Sequence, residues 1–210
     1  MNSYKVKEIY YTLQGEGAQT GRPAVFLRFT GCNLWSGREE DRSGAICAFC
    51  DTDFVGTDGT LGGRYTAEEL AVLVFSLWPK HLGRPYVVCT GGEPLLQLDE
   101  PLIDAIHDKG FEIGIETNGT ISLPQGLDWV CVSPKANTEV VVRHGDELKL
   151  VVIQKNWEPA LFESWDFDHF FLQPMDGPDL KEYTQWAVDH CLANPQWKLS
   201  IQTHKLLGIR

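Results

Sequence analysis

The chain has 210 residues, of which 43% are hydrophobic and 22% charged, as expected for a single globular domain at about 150 residues per domain. Its formal net charge of -11 argues against a broad surface for nucleic acid or anionic lipid, because both are themselves negatively charged. The longest apolar run, residues 70–78, is far shorter than the roughly 20 residues of a membrane span. Residues 1–5 lack the apolar stretch of a secretory signal, so we expect one cytoplasmic domain over residues 1–210.

The first third of the chain is predicted to contain two strands, a long loop and a helix. Residues 4–13 and 24–29 are typical of strands. Residues 34–63 show no sustained apolar period and predict one long loop, a type of segment that is usually functional or mobile. Thr66 followed by Glu69 is a capping-box pattern, which predicts a helix that ends near residue 77, before Pro79.

Strands and helices alternate along the remainder of the chain. Strands are predicted over residues 86–89, 112–115, 129–132, 148–153, 169–172 and 198–202. Helices are predicted over residues 100–109 and 180–192. This order is typical of a parallel α/β sheet or barrel. Because a complete eight-fold barrel usually takes about 250 residues, we predict an α/β fold built as a partial parallel β/α barrel of about six strands, with the long loop as an insert.

Four polar motifs follow directly on predicted strands. They are TGGEP at 90–94, ETNG at 116–119, SPK at 133–135 and QPMD at 173–176. In parallel α/β folds the carboxyl ends of the strands build the active site, so these motifs are predicted to meet at one rim. Each motif by itself is also an ordinary turn sequence, since Gly, Pro and Asn favour turns.

Three of the six cysteines, Cys32, Cys47 and Cys50, have the spacing C-x14-C-x2-C. In a reducing compartment such a group indicates metal or redox chemistry rather than disulfides. A structural zinc site takes four N or S ligands, and no histidine precedes His81. A four-iron cluster held by three thiolates instead leaves one iron open for an exogenous ligand. A redox pair of Cys47 and Cys50 remains an alternative, although it leaves Cys32 without a role. The other cysteines are interpreted as small buried side chains: Cys89, Cys131 and Cys191.

Residues 26–34 (FLRFTGCNL), 47–52 (CAFCDT) and 90–94 together resemble the radical S-adenosylmethionine superfamily. Within it, QGEG at 14–17, LQPMDG at 172–177 and the other motifs resemble the 7-carboxy-7-deazaguanine synthase family over nearly the whole chain. The superfamily usually spaces its cysteines C-x3-C-x2-C, so the eleven additional residues leave the conformation of residues 35–46 open. They need not remove a ligand, because loop-closure entropy grows slowly with length.

The resemblance implies a radical S-adenosylmethionine fold and a residue set for each group that the site would bind. A 4Fe-4S cluster would be held by Cys32, Cys47 and Cys50. S-adenosylmethionine would bind at Phe49, Cys50, Asp51, Gly92, Glu116, Ser133, Pro134, Lys135, Gln173, Pro174, Met175 and Asp176. The substrate would bind at Leu13, Gln14, Gly15, Arg28, Thr90 and Arg210, with residues 198–210 closing the pocket.

Three positions have ordinary alternatives. The resemblance implies that Thr52 binds Mg²⁺ together with the substrate carboxylate, which suits a hard ion that prefers oxygen ligands, although a threonine here is also a common turn residue. Arg28 is a fork suited to a carboxylate, and a solvent-facing arginine is its alternative. His204 is interpreted as a structural histidine that could also join the pocket.

The implied reaction converts 6-carboxy-5,6,7,8-tetrahydropterin into 7-carboxy-7-deazaguanine with loss of ammonia, a lyase step of 7-deazapurine and queuosine biosynthesis. The implied partners are a flavodoxin-like external one-electron donor and a second copy of the chain in a homodimer. Two alternatives remain open. One is another small radical enzyme, such as an activase of a glycyl-radical protein, and the other is a non-catalytic iron-sulfur or zinc redox protein.

Overall fold

The structure is a computed structural model that describes residues 3–79 and 83–210. Its strands are β1 (Tyr4–Leu13), β2 (Pro23–Phe29), β3 (Gly63–Tyr65), β4 (Tyr86–Gly91), β5 (Glu112–Thr117), β6 (Trp129–Val132), β7 (His144–Val152), β8 (Asp166–Pro174) and β9 (Trp197–Leu199). Its α-helices are α1 (Ala67–Leu77), α2 (Glu100–His107), α3 (Leu180–Ala193) and α4 (Thr203–Leu207). Three residues used in the sequence analysis lie outside the described residues. Met1 and Asn2 belong to the segment that lacks a signal pattern, and His81 is the first histidine of the chain.

All nine strands form one sheet in the order β3-β1-β2-β4-β5-β6-β7-β8-β9. Every pairing from β2 to β9 is parallel, whereas β1 pairs antiparallel with both β2 and β3. The predicted α/β class with a parallel sheet is confirmed. The predicted count of about six strands is too low, because seven strands form the parallel part and β1 and β3 extend it.

The sheet curls until the segment after β1 meets the far strands. The backbone N–H of Ala18 donates to Glu147 Oε2 on β7 at 2.7 Å, and the N–H of Gly17 donates to Ser200 Oγ at 3.0 Å. Side chains rather than a strand ladder therefore join the two sides, and the described residues form an incomplete barrel.

Alternation along the strands separates an apolar face from a polar one. On β7 the side chains of Leu148 and Leu150 are buried in the main hydrophobic core, which also contains residues of α1, α2 and α3. Glu147 and Lys149 alternate with them and are buried on the opposite, inner face. The helices therefore cover the outer face, and the inner face is left for a polar site. No helix in the described ranges combines the length and the apolar character that crossing a bilayer requires.

Most predicted elements overlap the observed ones, although β7 begins four residues earlier than predicted and β8 is longer at both ends. The capping box of α1 forms as predicted, since Thr66 Oγ1 accepts from the N–H of Glu69 at 3.3 Å and Glu69 Oε2 accepts from the N–H of Thr66 at 2.8 Å. The segment predicted as one loop contains a 3₁₀ helix, Glu39–Gly44, and ends in β3. These elements are too short for a hydrophobic period to appear.

The prediction of a strand over residues 198–202 is wrong at its end. β9 stops at Leu199, and α4 follows it. The chain turns inward at Ser200, whose Oγ donates to Gln173 Oε1 at 2.9 Å. A side-chain contact between distant segments thus ends the strand.

Candidate active site

A cavity of about 420 Å³ lies at the carboxyl ends of the parallel strands. The residues predicted to hold a cluster, S-adenosylmethionine, Mg²⁺ or substrate all line it, with one exception. Pro134 is buried outside the lining, and its carbonyl accepts a hydrogen bond from Gln154 Nε2 at 3.3 Å. The four polar motifs at strand ends therefore do meet at one rim, as their positions after strands predicted.

Two backbone hydrogen bonds close the long insert between the first two cysteines of the motif. The N–H groups of Ile46 and Cys47 both donate to the carbonyl of Leu34, at 3.1 and 3.3 Å. Because Leu34 is only two residues beyond Cys32, this neck holds Cys47 near Cys32 and the intervening residues form an excursion. The additional eleven residues therefore leave the backbone of Cys47 beside the segment that follows Cys32.

Arg42, on the 3₁₀ helix of the excursion, contacts the backbone around the other cysteines. Its Nη1 donates to the carbonyls of Ala48 and Cys50 at 2.8 and 3.0 Å. Its guanidinium lies over the ring of Trp35, 4.1 Å from the ring centroid, and Trp35 packs edge-on against Phe54. The insert thus folds back onto the segment that carries Cys47 and Cys50.

The Cys32 and Cys47 thiols lie in an environment that disfavours free thiolates. Burial raises the pKa of Cys32 and of Cys47, and each of these thiols is further affected by the charge of Cys50, so the sulfurs lie within electrostatic reach of one another. Thiolates here need positive charge nearby, which a bound metal centre supplies. Among the described residues, no group of three His, Cys, Asp or Glu side chains surrounds a position for a single metal ion. This donor set fits a cluster that takes one thiolate on each of three irons.

The glycine pair after β4 packs against the backbone that leads to Cys32. A Cβ at Gly92 would collide with the carbonyl of Gly31 and with the Cβ of Cys32. Gly91 has φ +146, a conformation that favours glycine. Glycine at these positions therefore lets the strand end approach the cysteine segment closely, in addition to any approach of a cofactor.

Glu93 joins the first two polar motifs. Its carboxylate is fully buried and accepts hydrogen bonds from Thr117 Oγ1 at 2.7 Å, from the N–H of Asn118 at 2.8 Å and from the N–H of Leu95 at 3.0 Å. Burial raises its pKa, although these donors oppose the shift. Asn118 in turn donates from Nδ2 to Asn33 Oδ1 at 2.9 Å, which ties the motif to the residue after Cys32.

A buried ion network lies on the inner face beside Gln14. Lys149 Nζ donates to Glu16 Oε2 at 2.6 Å and to Glu116 Oε1 at 3.2 Å. Gln14 Nε2 and Thr90 Oγ1 donate to the two oxygens of Glu116, at 3.0 and 3.3 Å. Residues predicted for substrate and for cofactor are thus linked through one carboxylate and one ammonium group.

Arg28 is not a solvent-facing arginine. Its side chain is 17% exposed, and it donates from Nε to Glu8 Oε1 at 3.0 Å and from Nη2 to the hydroxyl of Tyr10 at 2.9 Å. The guanidinium of Arg210 lies over the Tyr10 ring, 5.3 Å from its centroid. Two arginines therefore approach the same side of the cavity.

The carboxyl-terminal residues lie across the cavity. The N–H of Thr203 donates to the carbonyl of Gly15 at 2.9 Å. Lys205 Nζ lies 2.6 Å from both Asp51 Oδ2 and Asp176 Oδ2, and burial of Asp51 is outweighed by Lys205, so the pKa of Asp51 is lowered. His204 also lines the cavity.

Sequence analysis did not select several polar residues of the site: Glu16, Glu93, Lys149, Gln202 and Lys205. Three of them carried a signal, and Glu93 is one of these because it lies inside the TGGEP motif at 90–94. Glu16 lies inside the QGEG segment, and Lys149 alternates with Glu147 in an otherwise apolar strand segment, where period two indicates a polar inner face. Lys205 belongs to a short polar segment with no pattern of its own.

Comparisons with known proteins agree with this geometry. No protein-family model matches the chain. The chain is 64% identical over 209 residues to the 7-carboxy-7-deazaguanine synthase of Bradyrhizobium diazoefficiens, covering 99% of this chain and 100% of that protein. It is 58% identical over 208 residues to the 7-carboxy-7-deazaguanine synthase of Burkholderia multivorans, covering 99% of each. The crystal structure of QueE from Escherichia coli matches with a TM-score of 0.71 at 30% identity, over 95% of this chain and 94% of that one. The chain belongs to the 7-carboxy-7-deazaguanine synthase family.

Proposed function

We propose that the protein converts 6-carboxy-5,6,7,8-tetrahydropterin into 7-carboxy-7-deazaguanine with loss of ammonia, as a radical S-adenosylmethionine lyase of 7-deazapurine and queuosine biosynthesis. The observation that carries the proposal is a cavity that three thiols line together with polar side chains from several strand ends. A cavity of about 420 Å³ is within the size range of small-molecule sites, roughly 300–1,000 Å³.

Cys32, Cys47 and Cys50 are proposed to hold a 4Fe-4S cluster, with S-adenosylmethionine on the remaining iron. When bound, these groups supply an organic radical that removes a hydrogen atom from the substrate. The chain's own residues bind and orient. Lys135 lies 5.9 Å from the ring centroid of Phe49 and donates to Ser133 Oγ at 2.6 Å, which places an ammonium group and an aromatic face beside the cysteines.

The remaining cofactor positions lie on the rim between β4 and β8. Glu116 and Asp51 offer carboxylates that can accept hydrogen bonds from ribose hydroxyls or an adenine amine. They belong to the proposed cofactor set with Gly92, Ser133, Gln173, Pro174, Met175 and Asp176. Pro134 is left out of this set because the cavity lining does not include it.

The substrate is proposed to lie between β1 and the carboxyl-terminal segment. Gln14 and Gly15 are buried there and offer side-chain and backbone groups to the edge of the pterin. Arg28 and Arg210 place positive charge on the same side, which suits the substrate's carboxylate. Leu13 and Thr90 complete the proposed set.

Mg²⁺ is proposed to bind at Thr52, whose side chain belongs to the cavity lining. Mg²⁺ commonly keeps several waters and shares its shell with substrate, so one protein hydroxyl is chemically adequate. The test compares turnover of the wild type and Thr52→Val with Mg²⁺ and with a chelator. Equal turnover in all four cases would contradict the assignment.

A flavodoxin-like electron donor, a homodimer and a cytoplasmic location are proposed on the resemblance and on the composition of the chain. Light scattering of the purified protein tests the homodimer. Reduction of the bound cluster by flavodoxin, followed optically, tests the donor.

The experiment that tests the function as a whole is anaerobic reconstitution with iron and sulfide, followed by reductant, S-adenosylmethionine and the carboxytetrahydropterin. We expect a visible cluster absorption, 5′-deoxyadenosine and the ring-contracted product. Cys47→Ala is expected to lose all three signals, whereas Cys191→Ala, a matched change on α3 outside the cavity lining, retains them.

The remaining results separate the alternatives. Deoxyadenosine without ring-contracted product would indicate another radical enzyme. A loaded cluster that yields no deoxyadenosine would indicate a redox protein.

A further inference from the structure

Lys149 is the buried cation of the inner face, and it connects two separate segments of the chain. Its side chain is 5% exposed, and its Nζ lies 2.6 Å from Glu16 Oε2 and 3.2 Å from Glu116 Oε1. Glu16 follows β1, and Glu116 lies on β5. We call these three residues the Lys149 triad. All three residues line the cavity. The ammonium group of Lys149 therefore fixes the positions at which the two carboxylates face the cavity.

Neutral donors also hold the two carboxylates of the triad. Gln202 Nε2 donates to Glu16 Oε1 at 3.0 Å, and Gln14 and Thr90 donate to Glu116. These contacts determine the orientation of the carboxylates but supply no charge. Lys149 therefore provides the positive charge nearest to both.

Further titratable groups surround the triad, and most of them are acidic. Glu147 and Cys131 also interact electrostatically with Lys149, and burial raises the pKa of both. Asp51, which pairs with Lys205, faces Glu16 from the cysteine segment. Further acidic groups therefore lie near Glu16 and Lys149. A buried carboxylate beside other acidic groups stays ionised only when a cation is close to it.

The titration of Glu16 agrees with this arrangement. Burial by itself would raise the pKa of Glu16, but the charge of Lys149 and hydrogen bonds from Lys149, Gln202 and Gln173 lower it to about 2. An ionised carboxylate only accepts hydrogen bonds, whereas a protonated one also donates. The state of Glu16 therefore decides which face of a ligand it can recognise.

We propose that Lys149 is a positioning residue that presents Glu16 and Glu116 to the cavity as a fixed pair of hydrogen-bond acceptors. On the substrate side, the N–H groups of a reduced pterin are donors that Glu16 recognises, whereas Glu116 faces the proposed cofactor. The inference rests on the proposed function, because the substrate is taken from it. Lys149 acts through the two carboxylates and takes no part in bond making.

The first experiment measures anaerobic binding of the carboxytetrahydropterin by calorimetry between about pH 5 and about pH 8. Lys149→Met is expected to weaken binding roughly 10- to 100-fold and to make it weaker still as the pH falls, since Glu16 then titrates in this range. The wild type shows no such Glu16-dependent loss because its Glu16 stays ionised. Lys149→Arg retains the charge and is expected to restore the wild-type pH profile in part.

Two further variants separate positioning from simple neutralisation of a buried charge. If Lys149 only neutralises Glu16, the double variant Glu16→Gln with Lys149→Met regains wild-type affinity, which would overturn the proposal. We expect instead that the double variant binds the pterin weakly and that its affinity does not fall further at low pH. Lys109→Met removes a lysine from the surface pair with Glu68, 3.0 Å, and is the matched control that binds like wild type.

A second readout is independent of substrate and covers a variant that folds poorly. Glutamate labelled with ¹³C at Cδ reports the titration of Glu16 by NMR, with Glu16→Gln for assignment. In Lys149→Arg the carboxylate stays ionised to low pH, and in Lys149→Met its titration moves into the accessible range. An unchanged titration in Lys149→Met would overturn the inference. Failure of the wild type to bind the pterin, with the Glu16 titration as expected, would instead overturn the proposed function.

Discussion

The cysteine segment and the inner face of the sheet position their functional groups by different means. Residues 32–50 are held by backbone hydrogen bonds at a neck and by Arg42, whose side chain is 29% exposed. The inner face and the strand ends beside it use buried ion pairs and buried carboxylates, among them Lys149 and Glu93. The first region suits a segment that is proposed to bind a cluster, and the second suits a surface whose shape must exist before a ligand arrives. The predictions below test this difference.

The largest effect is expected at Glu93. Glu93→Ala leaves the hydroxyl of Thr117 and the N–H groups of Asn118 and Leu95 without their buried acceptor, so the free energy of unfolding should fall by about 3–5 kcal/mol. Urea denaturation of the cluster-free protein measures it. The stability of Glu93→Gln should lie between those of the wild type and Glu93→Ala. The amide keeps one oxygen acceptor, but its NH₂ group then faces the N–H of Asn118, which also needs an acceptor. A loss below about 0.5 kcal/mol in Glu93→Ala would show that the strand ends around Glu93 do not depend on a buried acceptor.

Glu16→Gln should cost about 3 kcal/mol at neutral pH, because it removes an ionised partner of Lys149. The pKa of Glu16 is lowered in the folded state to about 2, so its stabilisation is fully present above the unfolded value of about 4.3 and is lost as the pH falls towards 2. The difference from wild type in urea denaturation should therefore shrink with acid. Glu68→Gln, in a surface pair, is the control. A difference that stays constant with pH would contradict the role of the ion pair.

Gly92→Ala lies at the junction of the two regions. Its Cβ would collide with the carbonyl of Gly31 and the Cβ of Cys32, so we expect a loss of stability of about 1–3 kcal/mol together with reduced iron content after reconstitution. Iron analysis and thermal unfolding measure both. Gly44→Ala has open space around its Cβ and is the matched control. Normal iron content in Gly92→Ala would show that the segment around Cys32 can shift freely.

The smallest effect on stability is expected at Arg42. Arg42→Met removes the hydrogen bonds to the carbonyls of Ala48 and Cys50, and because the side chain is on the surface, the unfolding midpoint should stay close to that of wild type. Iron should nevertheless be lost several-fold faster to a chelator. Arg38→Met changes an exposed arginine of the same excursion and should lose iron like wild type. Equal rates of iron loss in both variants would show that the backbone hydrogen bonds at Leu34 hold the cysteine segment without Arg42.

The order of strands and helices and the meeting of the strand-end motifs could be predicted from local patterns. Period-two alternation and turn residues can be recognised within a few consecutive residues. Parallel strands place their carboxyl ends at the same edge of the sheet, whichever strands are neighbours. The assignment of Cys32, Cys47 and Cys50 to a cluster also comes from spacing and resemblance, and it stays a prediction. The neck at Leu34 could not be predicted, because hydrogen bonds between backbone groups leave no residue signature.

The sequence by itself determined the α/β class, the family and the rim at which polar motifs gather, since these depend on periodicity and on residue types in order. Only the tertiary structure decided that Lys149 reaches both Glu16 and Glu116, that Pro134 lies outside the lining, and that α4 follows β9. The physical reason is that ion pairs and strand ends depend on groups distant along the chain, whose approach is set by the curl of the whole sheet and not by any local pattern.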